Sequence, residues 1–304
     1  MEGQEEKQPQ QKDLNTPEQA AASVERHYTR RNLENTILTA LRNAGKDIDQ
    51  QLTVDDLAPI DELHPLGREA TANLASLLKR NNNLQPNSHV LDVGSGIGGP
   101  SRYLASKFGC HVTGLDLVEE YCHVADSLAK RVKLDNLLTY RQGYATQMPF
   151  DDATFDVVWT QYASMNIADK HGLYSEMHRV LKPGGKLAVD EAYKGSSDMD
   201  DSSIHFPLPW ASDPSISHLI SAEEARKLLK EVVGFKEVVW EDKTESVIDW
   251  IKQMTKRAQQ TSSGPPPLGI HVVIGPQWSE MVKNVLKNFE EGRLKVAQGI
   301  FERS

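Results

Sequence analysis

The glycine-rich segment VLDVGSGIGG at residues 90–99 is the strongest sign of ligand chemistry in the sequence. Gly94, Gly96 and Gly99 have the G-x-G-x-x-G spacing found where a first strand turns into a helix. Glycine lets the main chain turn tightly there and approach a ligand closely, and N–H groups at the start of the helix are expected to face that ligand. The motif predicts a nucleotide-like ligand; a glycine-rich turn without any ligand is the alternative.

Two aspartates narrow the chemistry of that ligand. Asp92 lies inside the predicted strand just before the glycines. Dinucleotide enzymes usually keep an apolar residue there, and a carboxylate suits a cationic ligand better than a pyrophosphate. Asp116 ends the second predicted strand, where an acidic side chain can accept both hydroxyls of a ribose.

The elements that must position these residues are alternating strands and helices. We predict strands at 89–93, 111–116, 137–142, 156–161, 186–193, 235–241 and 296–301, the last as an edge strand. Predicted helices intervene at about 97–108, 118–133, 170–181 and 221–233, the last with a capping box of Ser221 and Glu224. This order implies right-handed crossovers, so the fold class is α/β with a doubly wound, mostly parallel seven-stranded sheet.

Segments outside this alternation suggest how the chain is organised. Residues 1–22 are rich in Gln, Glu, Lys and Pro, which predicts a disordered tail. An N-terminal helical cap is predicted at 23–60, with one helix over 24–44. The main domain is predicted at 61–304, and its insertions at 194–220 and 243–292 are expected to cover the carboxyl ends of the strands.

Composition excludes several classes of partner. The chain has 304 residues and a net charge of −9, which disfavours nucleic acid and anionic membranes as partners. No apolar run is long enough for a membrane span and no targeting signal is legible, so a cytoplasmic protein is predicted. Only Cys110 and Cys122 are present, and with His111 and His123 they lack the spacing of a zinc site, so we expect no metal.

Further motifs extend the glycine-rich segment and the two aspartates into a resemblance to a known family. With GYATQMPFDDATFDVVW at 143–159 and RVLKPGGKLAV at 179–189, the chain resembles class I S-adenosylmethionine-dependent methyltransferases over about residues 60–240. The segments DELHPLGREAT, VWTQYASMNIADK and FEEGRLKVAQGIFERS are similar to the small-molecule branch of sarcosine/dimethylglycine N-methyltransferases. Phosphoethanolamine, sterol and tocopherol methyltransferases are relatives in that branch.

The resemblance implies a Rossmann-like fold, S-adenosyl-L-methionine as cofactor, and methyl transfer to the nitrogen of a small amine. O- or C-methylation of a phenol, sterol or quinone is the alternative. The oligomeric state, monomer or homodimer, stays open.

Ten residues are assigned to the cofactor by this resemblance. They are Asp92, Gly94 and Gly96 at the methionine end, Asp116 and Leu117 at the ribose, Tyr144 and Ala145 at the adenine, Gln161 near the methyl group, and Tyr28 and His64 in segments that fold over the cofactor. The family often has Asp-Ala where this chain has Tyr144-Ala145. Tyr144 is therefore expected to contact the adenine ring, or Gln142 to replace the missing aspartate.

Catalysis of methyl transfer depends on orientation more than on an acid or a base. We predict Gln161, Tyr162 and His205 as the catalytic residues, with His205 or Glu191 as the base for an amine. Tyr162 and Trp210 are the aromatic faces that could hold a quaternary ammonium.

Two competing interpretations stay open. A nicotinamide-dependent reductase would share the glycine-rich turn, but it would need a Tyr-x-x-x-Lys pair, which does not follow the fourth strand. A scaffold protein could keep the fold without activity. Arg102 could likewise pair either with the cofactor carboxylate or with a neighbouring acid.

Overall fold

The computed structural model describes residues 17–80, 84–260 and 268–304. Its strands are β1 (His89–Val93), β2 (His111–Asp116), β3 (Leu138–Gln142), β4 (Phe155–Gln161), β5 (Leu181–Lys194), β6 (Phe235–Asp242) and β7 (Leu294–Arg303). They form one seven-stranded sheet in the order β3-β2-β1-β4-β5-β7-β6. Neighbours among β1 to β5 pair in parallel, and β7 pairs antiparallel with β5 and β6. The predicted doubly wound, mostly parallel sheet is confirmed.

Helices cover both faces of the sheet. They are α1 (Pro17–Tyr28), α2 (Leu33–Asn43), α3 (Val54–Asp61), α4 (Arg68–Arg80), α5 (Gly99–Phe108), α6 (Glu119–Arg131), α7 (Lys170–Val180), α8 (Ala222–Lys227), α9 (Thr244–Gln260), α10 (His271–Ile274) and α11 (Trp278–Glu290). Successive strand residues point to opposite faces, so Val90 packs with α4 and α5 while Leu91 packs with α7. The predicted capping box of Ser221 and Glu224 is present at α8.

The strand order reverses between β1 and β4. The chain leaves β1 towards β2 and β3, and it leaves β4 towards β5 on the other side. In open parallel sheets this reversal leaves a crevice at the carboxyl ends of the strands, which is where ligands bind. The turn after β1, Asp116 at the end of β2 and Gln161 at the end of β4 all lie at this edge.

Two predictions for the N-terminal region are wrong. Most of the predicted disordered tail, residues 1–16, lies outside the described residues, but residues 17–22 form the first turns of α1. The single helix predicted over 24–44 is two helices, because Asn32 adopts a left-handed conformation with φ 67° between α1 and α2. The predicted boundary between the N-terminal helical cap (23–60) and the main domain (61–304) falls within the last turn of α3. The apolar pattern of the sequence did not predict this helix.

The prediction that 296–301 is an edge strand is also wrong. The observed β7 lies between β5 and β6, and β6 forms that edge of the sheet. Six successive residues of β7 are buried, as expected for a strand covered on both faces.

The segment 194–220, predicted as an insertion, lies between β5 and β6, and the segment 243–292 lies between β6 and β7. Residues 194–220 contain short 3₁₀ turns at Asp201–Ser203 and Pro214–Ile216, and 243–292 contain α9, α10 and α11. Across the part of the chain that is described, no helix has the length and apolar character needed to cross a membrane.

Candidate functional site

A cavity of about 600 Å³ opens at the carboxyl ends of β1, β2 and β4. The loops after these strands and after β3 form its walls, and α1 and the segment between α3 and α4 cover it. All ten residues predicted for the cofactor line this one cavity: Tyr28, His64, Asp92, Gly94, Gly96, Asp116, Leu117, Tyr144, Ala145 and Gln161. Tyr162, predicted as catalytic, lines it as well.

The glycine-rich turn after β1 brings the main chain close to the loop after β4. Gly94 has φ 73°, and a Cβ atom on it would lie 2.3 Å from the Cβ of Ala163. No larger residue fits without moving that loop. The N–H of Gly94 donates to the carbonyl oxygen of Leu115 at 2.8 Å, and that of Gly96 donates to Asp116 Oδ2 at 2.8 Å. The N–H groups of Gly94 and Gly96 are therefore used within the protein, and the expectation that N–H groups at the start of α5 face a ligand stays a prediction.

Carboxylates dominate the polar side of the cavity. Ser101 Oγ donates to Asp92 Oδ2 at 2.6 Å, and the N–H of Val118 donates to Asp116 Oδ1 at 2.9 Å. Burial raises the pKa of Asp92 to about 7 and that of Asp116 to about 6. Among the described residues that line the cavity there is no lysine or arginine. The cavity therefore favours a positively charged ligand and disfavours a pyrophosphate.

Arg102 is not directed to this cavity but to a neighbouring acid, which was one of its two predicted partners. Its Nη2 donates to Asp61 Oδ2 at 2.9 Å, and both side chains are completely buried. Arg102 belongs to α5 and Asp61 ends α3. The ion pair thus fixes the helix that follows the glycine-rich turn to the segment that covers the cavity.

Gln161 lines the cavity, but its amide is fully engaged beneath it. Its Oε1 accepts hydrogen bonds from Thr71 Oγ1 at 3.1 Å and from Trp159 Nε1 at 2.9 Å. Its Nε2 donates to Asp190 Oδ2 at 3.0 Å. These three contacts fix the amide and leave it little freedom to act on a substrate.

The loop after β4 is held by Glu191, one of the two predicted bases. This carboxylate accepts hydrogen bonds from Thr160 Oγ1 at 3.0 Å and from Ser164 Oγ at 2.9 Å, and main-chain N–H groups of the loop also donate to it. Glu191 lines neither cavity, so it positions the loop and is not placed to take a proton from a substrate. The loop carries Tyr162, which adopts φ 53°.

Asn166 ties the first helix and the first insertion to this loop. Its Oδ1 accepts the hydroxyl of Tyr28 at 2.9 Å. Its Nδ2 donates to the carbonyl oxygens of Trp210 at 2.7 Å and Ile216 at 2.8 Å. Asn166, Asp61 and Asp169 line the cavity but were not predicted from the sequence. Only the position of Asn166 shortly after β4 could have indicated its role.

A second, smaller cavity of about 70 Å³ adjoins the first. Tyr28, Leu63, His64, Tyr121 and Tyr162 line both. The rest of its wall comes from Pro65, from Met165 in the loop after β4 and from the two insertions, including the predicted Trp210, and it is almost entirely apolar. We call it the apolar chamber, and the larger one the polar cavity.

The placement of His205 contradicts its predicted catalytic role. It lines neither cavity, and its Nε2 lies 3.1 Å from Glu291 Oε2 and also contacts Arg293. Its main-chain N–H and carbonyl both bond to the side chain of Asn288 at 2.9 Å. Through these contacts His205 joins the first insertion to the C-terminal end of α11.

The rim of the polar cavity carries the residues predicted for an adenine. Tyr144 is 49% exposed, which leaves its ring free to contact a ligand. Gln142, the other candidate, donates from Nε2 to the carbonyl oxygen of Leu117 at 3.2 Å and does not line the cavity.

Comparisons with known proteins agree with this architecture. Residues 91–189 match a family model described as a methyltransferase domain. A sarcosine/dimethylglycine N-methyltransferase of Halorhodospira halochloris is 29% identical over 227 residues, which cover 75% of this chain and 77% of that protein. A sterol 24-C-methyltransferase of Clavispora lusitaniae is 34% identical over 170 residues, or 55% of this chain, which spans only 45% of that protein.

Among solved structures, a phosphoethanolamine N-methyltransferase of Haemonchus contortus, in complex with S-adenosyl-L-methionine, superimposes with a TM-score of 0.67. The identity is 22%, and the match covers 80% of this chain and 54% of that one. This likeness shows a shared fold.

Proposed function

The chain carries an S-adenosylmethionine-dependent methyltransferase domain, and from this premise we propose that the polar cavity binds S-adenosylmethionine and the apolar chamber receives a small-molecule methyl acceptor. The relatives methylate nitrogen in one case and carbon in the other, by their names, and both kinds of acceptor atom suit a domain of this type. The two buried, free cysteines suit the reducing cytoplasm proposed for the protein.

One observation carries the assignment of the cofactor. The polar cavity sets buried carboxylates, Asp92 and Asp116 among them, around the glycine-rich turn, and no described lysine or arginine lines it. Phosphate-binding turns instead offer main-chain N–H groups to the ligand. Here the N–H groups of Gly94 and Gly96 already donate inside the protein. A nucleoside with a positive charge fits this environment, and a dinucleotide does not.

Each residue role follows from position. S-adenosylmethionine supplies a methyl group that its sulfonium charge has already activated. Asp116 would accept the ribose hydroxyls, Tyr144 would contact the adenine, and Asp92 would face the methionine end. Tyr162 and His64 stand where the polar cavity and the apolar chamber meet, which is where the methyl group would have to pass.

The protein's main contribution to catalysis would be positioning. Holding an acceptor and a methyl group in line can supply roughly 7–11 kcal/mol of the barrier. Because the loop after β4 is fixed by Glu191 and Asn166, the side chain of Tyr162 is held between the two cavities before any ligand arrives. The sulfonium charge already activates the methyl donor, so this activation requires no acid or base from the protein.

Replacing Asp116 tests the assignment. Asp116→Ala is expected to weaken binding of S-adenosylmethionine by about 10-fold or more, because a charged hydrogen-bond acceptor contributes roughly 1.5–3 kcal/mol. Isothermal titration calorimetry measures the affinity. Asp151→Ala, which removes an exposed carboxylate from a turn outside the cavity, is the control and should bind like the unchanged protein. Equal affinities in the two variants would refute the ribose assignment, and binding of NAD in place of S-adenosylmethionine would refute the function.

A further inference from the structure

The chemistry of the apolar chamber restricts the acceptor beyond the proposed function, on which this inference rests. We propose that the acceptor is an electrically neutral, largely apolar small molecule with one polar group, and that Tyr162 hydrogen-bonds to that group. A sarcosine-like amino acid, or any acceptor with a carboxylate or phosphate, is excluded by this proposal.

The wall of the chamber offers apolar and aromatic surface. Besides Tyr162, it includes Tyr28, Tyr121, Trp210, Trp250 and Trp278, and aliphatic side chains fill most of the remainder. Aromatic side chains bury large apolar areas and so favour an acceptor with a hydrocarbon body. Such a wall binds by removing apolar surface from water, which gives nothing to a charged group.

A counter-charge for an anionic acceptor is missing from the described wall. No lysine or arginine among the described residues lines the chamber, and none lines the polar cavity next to it. Burying a carboxylate or phosphate without a partner in the protein costs several kcal/mol. The sulfonium of the donor would offset this cost only for an anionic group in direct contact with it, so an acceptor with a carboxylate or phosphate elsewhere would bind poorly.

Among the described residues of the chamber wall, His64 is the one that can form a cation, but its N–H groups are occupied. Its Nδ1 donates to the carbonyl oxygen of Pro65 at 3.2 Å, and its Nε2 lies 3.2 Å from Glu62 Oε2. Burial lowers its pKa, yet the hydrogen bond and the charge of Glu62 outweigh burial and leave the pKa above its usual value. The imidazolium charge is thus matched by Glu62, and no N–H remains for an anionic acceptor.

A cationic acceptor is disfavoured for a related reason. To receive the methyl group it would have to come into contact with the sulfonium centre, which is itself positively charged. Like charges at such short separation in a buried site repel strongly. Aromatic faces attract cations by only about 0.5–2 kcal/mol, so they offset this repulsion in part.

Among the described residues of the chamber wall, Tyr162 is the one whose buried polar side-chain atom lacks a hydrogen-bond partner. Its hydroxyl is buried and has no hydrogen-bond partner in the described structure. Leaving a buried hydroxyl unpaired is unfavourable, and an acceptor bearing a hydroxyl, carbonyl or neutral amine would satisfy it. The hydroxyl of Tyr28, by contrast, already donates to Asn166.

Three matched probes test the charge preference: cyclohexylmethanol, cyclohexanecarboxylate and cyclohexylmethylamine, which is protonated at neutral pH. Each is titrated while tryptophan fluorescence is followed, because Trp210, Trp250 and Trp278 line the chamber. Titrations are made with the protein alone, with saturating S-adenosylhomocysteine, and with saturating S-adenosylmethionine, whose sulfonium is the charge expected to repel the ammonium. The alcohol is expected to bind at least about 10-fold more tightly than either charged probe. A carboxylate or ammonium that binds as well as the alcohol overturns the proposal, as does the absence of binding by all three.

Two variants keep the result specific to the chamber. Val282→Arg places a guanidinium in its wall and should shift the preference to the carboxylate, whereas Ser279→Arg adds the same charge on an exposed position of α11 and should leave the preference unchanged. Tyr162→Phe should weaken binding of the alcohol about 5-fold or more, and should weaken it more than it weakens binding of S-adenosylhomocysteine, because the hydroxyl is assigned to the acceptor. If S-adenosylhomocysteine binds but the carboxylate probe binds more tightly than the alcohol, only this inference fails. If S-adenosylhomocysteine does not bind, the proposed function fails.

Discussion

At the scale of single residues, the polar cavity is lined by carboxylates that hydrogen bonds orient and that can bind a cation. Asp92 and Asp116 are each oriented by hydrogen bonds from Ser101 or from main-chain N–H groups. Burial raises the pKa of both carboxyl groups, and no lysine or arginine among the described residues of the wall offsets this effect. A bound sulfonium would supply the missing positive charge.

Binding of S-adenosylmethionine is therefore expected to weaken as pH falls. With pKa values of about 7 for Asp92 and about 6 for Asp116, both groups are mostly ionised above these values and mostly protonated below them. A cation prefers the ionised forms, so binding below the pKa must release protons, and each group can reduce affinity by up to about 10-fold per pH unit. Calorimetry between about pH 5.5 and 7.5 measures the slope.

The variant Asp92→Asn serves as the control for this slope. It should bind more weakly at the upper pH and change less over the range, because one titrating group has gone. An affinity that stays constant with pH in the unchanged protein would contradict the account of the cavity.

His205 is expected to be dispensable for ligand binding. Because its imidazole lies against Glu291 outside both cavities, His205→Gln should change affinity for S-adenosylmethionine and for cyclohexylmethanol by less than about twofold. Calorimetry and tryptophan fluorescence give the two values. A tenfold loss of either affinity would show that His205 takes part in ligand binding.

At the scale of elements, a buried ion pair joins the helices on either side of the glycine-rich turn. Arg102 of α5 and Asp61 of α3 are both completely buried, and Asp61 also lines the polar cavity. The main chain of Asp61 lies so close to Gly99 that a Cβ there would be 2.1 Å from its carbonyl oxygen. The cover of the cavity and the turn beneath it are thus fixed relative to each other.

Breaking this ion pair from one side should destabilise the protein severely. Arg102→Met leaves the buried Asp61 carboxylate with only Arg68, whose Nη2 lies 3.8 Å from Asp61 Oδ1, and we expect a loss of up to about 3–5 kcal/mol in free energy of unfolding. Replacing both, as in Arg102→Met with Asp61→Leu, should recover most of that loss. Urea denaturation followed by circular dichroism measures both. A single variant as stable as the unchanged protein would show that the pair does not hold α3 to α5.

How far the elements could be predicted depended on what fixes each of them. Strands β1 and β2 and helix α7 followed from local apolar patterns and turn residues, which are properties of the sequence alone. The start of α1 did not, because its sequence is polar and its buried Val24 packs on distant parts of the chain. The internal position of β7 depends on strand order, although its nearly continuous apolar run was a sign that it is buried on both faces.

At the scale of the whole molecule, one sheet edge supports two cavities of opposite character. Eight of the ten residues predicted for the cofactor lie at strand ends or in the loops that directly follow the strands, where local motifs indicate them. Tyr28 and His64 lie in segments that cover the cavity, and only the family resemblance pointed to them. The apolar chamber is assembled from segments between Tyr28 and Phe289, and no local pattern relates them. His205 was misplaced for the same reason, since the composition of an insertion does not reveal which way it folds. The roles of the gathered residues stay predictions.

The crystal structure of the protein with S-adenosylhomocysteine tests the central claim most directly. The account predicts the nucleoside in the polar cavity, with both ribose hydroxyls within about 3.2 Å of the Asp116 carboxylate oxygens and the adenine against Tyr144. Its sulfur should lie at the junction with the apolar chamber, beside Tyr162. A nucleoside bound elsewhere, or a polar cavity that remains empty at saturating ligand, would contradict the account.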